Sequence, residues 1–586
     1  MTSRRVTATL RQQLRQAARG DTQSTPNGSP PRRLWKCFPL TAQHVNVPTK
    51  RHPDDTDDER NTSAHPRWLR TPSEFHQTLC DRIERARRRV HLASLYIGPA
   101  VDPTTRKQPL PKCCHASIPE STSVSCWINT ERSVPCRCLR NGHPHRSSAT
   151  ISSAEACRRA LAQRPKLPDE SHNGTADTEH NKSQIHLLSV LGPWLSRLPN
   201  PYNEIAGVFH VKLYVVDDAV LLSGANLSQE YFADRHDRYV CIYNGGNGLV
   251  DTYVDLIQAL SEFGSQRYEG IDENGVAQLT NVPDRQRLFR AIRDVLTIEA
   301  DTAGIDHEPD PDVIAYAVPT FQAPPGYFTA TCDATELATM PTDLQTIHDL
   351  LRQTAAWAPA AASSSSSAPQ TTATTATTTH QNRPVTLRLA SAYLNPTHSF
   401  LESTRNLNVF FLTAGKLSHG FRPKKVTGHV SKTAWIPTVF ATLVASYPPW
   451  VKTWWYQRES WTFHAKGLWL TTTAETVPES TTTTSKTNVP TLTKSQLRIP
   501  ETDELLVVSH GSGNYGYRSE QRDMESNLLL VFPSPTDGQE SNNPWAQQHI
   551  DEWNEFVPSA VPACLEDTDP LPKPVQWVLP YIKSFF

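Results

Sequence analysis

Two short segments of the chain carry a histidine and a lysine separated by one residue. His210 and Lys212 lie in FHVKLYVVDD, and His464 and Lys466 lie in FHAKGLWLTT. Each segment is predicted to be a strand, in which residues i and i+2 point to the same face, so each His projects beside its Lys. An imidazole can attack phosphorus or transfer a proton, and an ammonium can hold phosphate oxygens. If the two pairs meet across one cleft, they predict metal-free chemistry at a phosphate ester.

A second set of polar residues follows each pair. SGAN ends at Asn226, and GSGN contains Ser512 and ends at Asn514. Asp237 lies eleven residues after Asn226, and Glu525 lies eleven residues after Asn514. The Asn and Ser side chains are predicted to bind phosphate oxygens, and each acid to accept a hydrogen bond from a histidine Nδ1 and so fix its tautomer. A lone His-x-Lys is usually a surface feature, but two copies with equally spaced acids favour catalysis.

These residues belong to an internal repeat. Three blocks occur twice in the same order: LASLYIGP and LASAYLNP, FHVK and FHAK, SGAN and GSGN. The offsets between the copies are 297, 254 and 288 residues, and insertions of different length account for the differences. The sequence therefore predicts a duplicated unit with one site formed by both copies.

The first copy extends to His-x-Lys-x4-Asp through Asp217, and this pattern resembles the duplicated motif of the phospholipase D superfamily. The resemblance implies an α/β fold with two phospholipase D-like α/β/α repeats in one chain, related by a pseudo-twofold, with the active site at their interface. It also groups Asp217 with the catalytic pairs. In the second copy Thr471 stands where the Asp is expected. That Asp is mainly structural in the family, so both His-Lys pairs still fit.

Longer phrases resemble one branch of the superfamily. SGANLS, DRYV and WTFHAKGLWL are similar to the mitochondrial phosphatidylglycerophosphate synthases, which are CDP-diacylglycerol–glycerol-3-phosphate 3-phosphatidyltransferases. The resemblance implies that a histidine attacks CDP-diacylglycerol and expels CMP, leaving a phosphatidyl-histidine. Glycerol 3-phosphate then takes the phosphatidyl group, in the committed step towards phosphatidylglycerol and cardiolipin. His210 is predicted to be the nucleophile and His464 the general acid/base, although the sequence leaves the reverse assignment open.

Three other functions fit the same motifs. A nuclease or tyrosyl-DNA phosphodiesterase would need a basic groove, and a formal net charge of -1 gives no whole-chain argument for nucleic acid. A lipid hydrolase or phosphatidylserine synthase differs only in the nucleophile that it accepts. A catalytically dead lipid-binding scaffold is disfavoured because both His-Lys pairs are intact. No nucleic-acid partner and no cofactor are predicted.

The organisation of the chain follows from its composition. Residues 1–65 are predicted to be a mitochondrial transit peptide and disordered linker, because the first twenty residues hold five arginines and no acid. A disordered basic tail is the alternative. The first repeat is placed at 66–330 with a disordered insertion at 101–185, and the second at 331–586 with low-complexity inserts at 359–381 and 471–499. The implied location is the matrix side of the mitochondrial inner membrane, with peripheral attachment.

Three further expectations concern the membrane, metal ions and redox state. There is no apolar run of eighteen residues, so no transmembrane helix is predicted. An aromatic cluster in PPWVKTWWYQRESW fits either a membrane interface or core packing. Six irregularly spaced cysteines between 101 and 185 match no regular zinc pattern, so an insertion is favoured over a zinc site. The odd total of eleven cysteines favours a reducing compartment.

Overall fold

The structure is a computed structural model of the 586-residue chain. It describes fourteen stretches, namely 33–45, 69–95, 123–129, 184–188, 190, 207–243, 246–273, 277–299, 312–357, 385–422, 435–472, 492–533, 543–563 and 570–583. The predicted transit segment, the insert at 359–381 and most of the insertion at 101–185 lie outside the described residues.

Twenty-one strands build the sheets of these fourteen stretches. In chain order they are β1 Arg33–Trp35, β2 Phe38–Thr41, β3 Arg89–Ser94, β4 Ser123–Asn129, β5 Gln184–Leu188, β6 Leu213–Val216, β7 Ala219–Ser223, β8 Arg235–His236, β9 Tyr239–Tyr243, β10 Gln266–Ile271, β11 Ala277–Thr280, β12 Thr297–Glu299, β13 Val313–Gln322, β14 Val385–Ser391, β15 Asn408–Ala414, β16 Val451–Tyr456, β17 Thr462–Phe463, β18 Gly467–Thr472, β19 Glu504–Gly511, β20 Glu525–Val531 and β21 Ala560–Pro562.

Fourteen α-helices accompany these strands in the described stretches. They are α1 Ala42–Val45, α2 Pro72–Arg85, α3 Gln229–Ala233, α4 Leu249–Ala259, α5 Arg285–Leu296, α6 Pro325–Thr329, α7 Ala334–Leu337, α8 Asp343–Trp357, α9 His398–Ser403, α10 Ile436–Val444, α11 Lys494–Leu497, α12 Tyr517–Gln521, α13 Pro544–Phe556 and α14 Lys573–Ile582.

Two large mixed sheets organise the fold. The first has eight strands in the order β11-β10-β5-β4-β3-β6-β7-β9, and the second has nine in the order β2-β13-β20-β19-β18-β14-β15-β16-β21. In the first sheet β3, β4 and β5 pair in parallel, and β6, β7 and β9 continue from β3 in antiparallel fashion. In the second sheet β14, β15 and β16 pair in parallel, and β18, β19 and β20 continue from β14 in antiparallel fashion. The predicted α/β class is confirmed.

Helix α2 shows how local sequence sets up the first sheet. The Thr71 hydroxyl accepts from the Glu74 backbone N–H at 3.2 Å, and the Glu74 carboxylate accepts from the Thr71 N–H at 3.1 Å. This reciprocal capping box satisfies amide groups that the first helical turn leaves unpaired. Phe75, Leu79 and Ile83 then place one fully buried apolar stripe among the side chains of β3 and β6.

Two parts of the organisation differ from the sequence prediction. Residues 33–45, inside the predicted linker 1–65, form β1, β2 and α1 and bury Trp35, whose indole donates to Thr346 Oγ1 at 2.7 Å. Strand β4 lies inside the predicted disordered insertion and pairs with β3 and β5. Both segments are short apolar stretches between polar ones, and only pairing with distant strands makes them regular.

The second sheet also recruits a strand from the span assigned to the first repeat. Strand β13 pairs with β20 over seven residues, from Tyr316 opposite Val531 to Gln322 opposite Glu525. On its other side β13 pairs with β2. The boundary predicted at 330 therefore does not separate the two sheets, because β13 precedes it.

The aromatic cluster before the second His-Lys pair is core. Trp454 and Tyr456 lie on β16, between β15 and β21, and are 0% and 1% exposed. Trp455 is 7% exposed. Of the two interpretations of this cluster, packing is therefore right for these three residues. Among the helices of the described stretches, none is long and apolar enough to cross a membrane.

Candidate active site

Backbone hydrogen bonds bring the two His-Lys pairs to the junction of the sheets. His210 lies just before β6, and its N–H donates to the carbonyl of Met524 at 2.9 Å. His464 lies between β17 and β18, and its N–H donates to the carbonyl of His236 at 2.8 Å. Met524 and His236 each directly precede an acid that belongs to the other copy. Each histidine is thus held next to the opposite copy's acid.

The first histidine is paired with Glu525. Its Nδ1 lies 3.0 Å and 2.9 Å from the two carboxylate oxygens, and both side chains are buried. Ser519 Oγ donates to Glu525 Oε1 at 2.6 Å. Burial raises the pKa of Glu525 to about 7, with Lys212 opposing the shift. Glu525 thus occupies Nδ1 of His210, and Nε2, the other ring nitrogen, has no hydrogen bond to a described residue.

The second histidine is paired with Asp237. His464 Nδ1 lies 2.6 Å from Asp237 Oδ2, and the Arg238 backbone N–H donates to Asp237 Oδ1 at 2.8 Å. Burial raises the pKa of Asp237, with Lys466 opposing the shift. At the other ring nitrogen, Nε2 lies 3.3 Å from the Tyr231 hydroxyl. Tyr231 was missed in the sequence because it is not repeated: Ser519 stands at the same offset from Asn514.

Both lysines are buried beside their histidines. Lys212 Nζ donates to the His210 carbonyl at 2.7 Å, and Lys466 Nζ donates to the His464 carbonyl at 2.8 Å. Burial lowers the pKa of Lys212 well below its usual value and that of Lys466 to about 8. Burial and then the neighbouring lysine lower the pKa of each histidine. A phosphate group bound beside these lysines would stabilise their charged form.

The SGAN block packs tightly against the second pair. A Cβ on Gly224 would lie 2.7 Å from Lys466 Nζ and 2.7 Å from Asp237 Oδ1, so only glycine fits. Asn226 is 1% exposed; its Nδ2 donates to the Tyr231 hydroxyl at 3.0 Å, and its Oδ1 lies 3.5 Å from Ser94 Oγ. Asn226 therefore reaches His464 through Tyr231.

The GSGN block lies at the first pair, but with different contacts. The Ser512 hydroxyl accepts from the Ser526 N–H at 3.1 Å, and it also lowers the pKa of Glu525. Asn514 is held by its backbone, whose N–H donates to Ser519 Oγ at 3.0 Å. Its side-chain Oδ1 is buried without a hydrogen bond to any described residue. The Oδ1 of Asn514 is therefore an acceptor without a described partner, and the Asn514 backbone binds Ser519, which itself donates to Glu525.

Asp217 is not among the residues brought together here. Its carboxylate accepts from the backbone N–H groups of Arg87, Arg88 and Arg89 at 2.8–3.0 Å, which fixes the turn before β3. It has φ +49° in the β6–β7 turn. The grouping of Asp217 with the catalytic residues is corrected: its hydrogen bonds are to a loop, not to either histidine. These hydrogen bonds hold the backbone before β3 against the β6–β7 turn.

The second copy supports its strand differently. Thr471, at the position of the Asp, accepts from Arg388 Nη1 at 2.9 Å. Arg388 also donates to the carbonyls of Leu497 at 3.1 Å and Arg498 at 2.8 Å. A buried guanidinium on β14 therefore holds the neighbouring loop where the first copy uses a carboxylate.

Arg238 is the principal residue that sequence reasoning missed. Its guanidinium is buried and donates to the carbonyls of Lys466 at 2.8 Å and Ser509 at 2.6 Å, and to Glu552 at 2.7 Å. It also lies 3.9 Å from the centre of the Trp469 ring. Arg238 follows Asp237 in DRYV, so one segment positions both the acid and the backbone of the catalytic lysine.

Among the residues that the structure describes, two groups of side chains have donor atoms close enough to bind a metal ion. His210, Asp523 and Glu525 form one, within 4.8 Å of one another. Their atoms are already engaged, since Asp523 accepts from the Val208 N–H at 2.9 Å and Glu525 from His210 and Ser519. His510, His549 and Glu552 form the other, where the Arg238 guanidinium already binds Glu552 and lies 3.1 Å from His510 Nε2.

Comparison with known proteins supports the resemblance seen in the sequence. The chain is 24% identical over 564 residues to the human mitochondrial CDP-diacylglycerol–glycerol-3-phosphate 3-phosphatidyltransferase, covering 90% of this chain and 84% of the relative. The mouse protein of that name is 25% identical over 562 residues with the same coverage. A probable Dictyostelium discoideum phosphatidyltransferase is 22% identical over 79% of this chain and 68% of its own. No protein-family model matches the chain.

A solved structure supports the fold. The crystal structure of phosphatidylserine synthase from Haemophilus influenzae aligns with a TM-score of 0.52 at 15% identity, over 88% of this chain and 93% of that one. Together these comparisons confirm the predicted resemblance: the chain is similar to the phosphatidyltransferases named above over most of its length and has a mixed α/β fold.

Proposed function

We propose that the chain transfers a phosphatidyl group from CDP-diacylglycerol to glycerol 3-phosphate, releasing CMP and forming phosphatidylglycerophosphate. The observation that carries this proposal is the crossed pairing of two buried histidines, each with the acid of the other copy, beside two buried lysines. Relatives named for this reaction cover nine tenths of the chain. The two His-Lys copies are proposed to be pseudo-twofold-related repeats with one shared site.

In the first step His210 Nε2 attacks the phosphorus that joins the lipid to CMP. A nitrogen–phosphorus bond forms, the phosphorus–oxygen bond to CMP breaks, and His464 donates a proton to the leaving oxygen. This assignment is supported by the hydrogen bonds at Nε2, because that atom has no described partner in His210 and faces the Tyr231 hydroxyl in His464. Glu525 stabilises the positive charge that develops on His210.

In the second step His464 takes the proton from a hydroxyl of glycerol 3-phosphate. The oxygen attacks phosphorus, the bond to His210 breaks, and both histidines return to their starting state. Lys212 and Lys466 hold the non-bridging oxygens in both steps. Asn226, Ser512 and Asn514 are proposed to complete the phosphate site, with Asn226 acting also through Tyr231. Asp237 and Glu525 orient the histidines.

The cellular setting is proposed from the relatives and the substrate. The human and mouse relatives are named mitochondrial, so the chain is proposed to work at the matrix side of the inner membrane. The lipid substrate requires peripheral contact with that membrane. Nothing in the reaction needs a nucleic acid. The proposed repeats correspond to the spans 66–330 and 331–586, and β13 of the first span lies in the second sheet.

The test supplies purified chain with CDP-diacylglycerol and labelled glycerol 3-phosphate in mixed micelles containing EDTA. Labelled phosphatidylglycerophosphate and CMP in equal amounts are expected from the wild type, and neither from His210→Ala. CMP with phosphatidic acid and no labelled lipid would instead mean that water is the acceptor and the chain is a hydrolase. Product formation from serine would identify a phosphatidylserine synthase. If the wild type is active without EDTA and inactive with it, the metal-free mechanism is contradicted.

A further inference from the structure

The C-terminal helix α14 carries an exposed apolar face that the fold does not cover. Trp577 is 80% exposed, Tyr581 is 81% exposed and Val578 is 45% exposed. Positions 577, 578 and 581 share one side of a helix. Val575 and Leu579, four residues apart, instead pack on α10 with the buried Leu571. The helix is therefore anchored on one side and presents large apolar side chains on the other.

The anchored side of α14 is connected to the second histidine through aromatic contacts. Phe440 on α10 belongs to the cluster that anchors α14, and its ring centre lies 5.9 Å from that of Tyr393. The Tyr393 ring centre is in turn 5.9 Å from that of His464. The Asn395 amide donates to the Lys583 carbonyl at 2.7 Å, at the C-terminal end of α14. One short series of contacts thus joins the helix to the site.

Other exposed apolar side chains lie on the segments that contact Tyr393 and Asn395. Phe421 is 39% exposed and its ring centre lies 5.7 Å from that of Tyr393. Tyr517 is 37% exposed, and its N–H donates to the Asn395 carbonyl at 2.6 Å. Leu417, four residues before Phe421, is 59% exposed. We call these three residues and the exposed face of α14 the aromatic rim.

The chemistry of the rim selects its partner. Between Leu571 and Lys583 the sequence contains Lys573 and Lys583 and no acidic residue, so the segment is complementary to an anionic surface. Trp and Tyr prefer the boundary between headgroups and acyl chains, where lysines extend towards the phosphates. Helix α14 has ten residues, about 15 Å, which is too short to span a bilayer core of about 30 Å.

We propose that the aromatic rim is the membrane-docking surface of the chain, with α14 lying in the interface of a bilayer that contains anionic lipid. This inference rests on the proposed function for its biological sense, since the acyl chains of a lipid substrate remain in the bilayer while its phosphates reach His464. It replaces the aromatic cluster at β16, whose burial rules it out as the docking surface. The rim thus supplies the contact that a peripheral enzyme needs beside its active site.

The test is co-sedimentation of the full chain with vesicles of phosphatidylcholine alone or mixed with phosphatidylglycerol. We expect the wild type to bind the mixed vesicles, and Trp577→Glu/Tyr581→Glu to bind them at least about ten-fold more weakly, since two interfacial anchors are lost. Val282→Glu is the matched control, because Val282 is 84% exposed on another part of the surface. Thermal unfolding of each variant checks that it is folded.

Charge is tested separately. Lys573→Gln/Lys583→Gln should weaken binding several-fold on mixed vesicles and leave binding to phosphatidylcholine unchanged, and added salt should act in the same direction. Equal sedimentation of the wild type and the folded Trp577→Glu/Tyr581→Glu variant would overturn the proposal, as would an equal loss in Val282→Glu. Because sedimentation needs no turnover, a chain that binds through the rim but forms no product would refute the proposed function and leave this surface standing.

Discussion

The two His-Lys copies use the same catalytic groups but differ in how the adjoining backbone is held. At the second copy, Arg238 reaches across to the Lys466 carbonyl, and Gly467 follows the lysine. A Cβ on Gly467 would overlap the Arg238 guanidinium. At the corresponding sequence positions of the first copy, Ser526 stands for Arg238 and Leu213 for Gly467. Each copy thus has one large and one small residue at these two positions, with the sizes exchanged.

This difference separates what the repeat must keep from what it can vary. In both copies the histidine Nδ1 meets the acid of the other copy, and the lysine donates to the carbonyl of its own histidine. The supports differ: a carboxylate holds the turn before β3, and a guanidinium holds the loop beside β14. Chemistry that needs two imidazoles in one site constrains the first set, whereas any buried group that satisfies the backbone can serve in the second.

The largest expected effect tests whether the two histidines are equivalent. Lipid-labelled CDP-diacylglycerol should leave no label on His210→Ala, because the nucleophile is gone. His464→Ala should still acquire label, more slowly, and retain it, because no base activates the acceptor. Loss of general acid/base catalysis costs about 10²- to 10⁴-fold, so overall transfer should fall by that factor or more. Gel detection of acid-labile label, stable to alkali, measures the intermediate.

The opposite labelling pattern would exchange the roles of the histidines. Label on both variants would contradict a single nucleophile. Val282→Glu, altered at an exposed residue outside the site, provides a folded control that should label and turn over like the wild type.

The next effect concerns the crossed acids. Glu525→Gln and Asp237→Asn keep the size of each side chain but remove the charge that stabilises an imidazolium, so kcat should fall about 10²-fold or more. Burial raises the pKa of Glu525 to about 7, so its carboxylate is present above that pH and protonated below it. Wild-type activity should therefore fall as the pH drops through about 7.

A pH–rate profile of each variant measures this. Glu525→Gln should lose the fall in activity near pH 7 and be slow throughout, while Asp237→Asn should retain it. An unchanged acidic fall in Glu525→Gln would show that another group controls this limb of the profile. The thermal unfolding midpoint of each variant distinguishes a charge effect from a loss of fold.

How far the sequence could be interpreted depends on repetition. The catalytic residues and crossed acids were identifiable because their spacing recurs, and α2 because its capping box is local. Arg238 and Tyr231 occur once, and their contacts join residues 228 and 233 positions apart, so no pattern revealed them. The short strands β2 and β4 are regular only through long-range pairing, and burial of Trp454 depends on the sheet around it.

The third prediction replaces Arg238 and Gly467 by the residue types found at the matching positions of the first copy. Gly467→Leu should destabilise the fold by about 3 kcal/mol or more, because the added side chain displaces Arg238 and leaves Glu552 as a buried unpaired charge. Arg238→Ser should cost a similar amount for the same reason. Denaturant unfolding of the single variants, and of Arg238→Ser/Gly467→Leu with Glu552→Gln added, measures the coupling.

The triple variant Arg238→Ser/Gly467→Leu/Glu552→Gln has, in the second copy, the serine and leucine that the first copy has at the matching positions. It should be more stable than Gly467→Leu, because the clash with Arg238 and the carboxylate without its guanidinium partner are both removed. It should stay less stable than the wild type, because a Cβ at position 467 still lies 2.7 Å from the Ser509 carbonyl oxygen and the backbone there has φ +150°. If the losses in free energy of unfolding are strictly additive, Arg238 and Gly467 do not interact as described. The residue types of the two copies would then not be alternative ways of packing the same contact.

The smallest effect compares Asp217 with Thr471. Asp217→Ala removes three hydrogen bonds from a half-buried turn and should cost about 1–2 kcal/mol, and Thr471→Val should cost about 1 kcal/mol through Arg388. Burial tends to raise the pKa of Asp217, but three backbone N–H groups and Arg88 hold it below its usual value. Its contribution is therefore present above the unfolded-state pKa and lost as the pH falls through the folded-state pKa.

Urea unfolding at neutral and acidic pH separates the two supports. The stability difference between wild type and Asp217→Ala should shrink in acid, while that for Thr471→Val should not change through residue 471, which does not titrate. Asp217→Asn keeps a side chain that tolerates φ +49°, so it should lose less than Asp217→Ala at neutral pH. Equal losses in these two variants would mean that backbone conformation contributes nothing, and that only the carboxylate's charge holds the turn before β3.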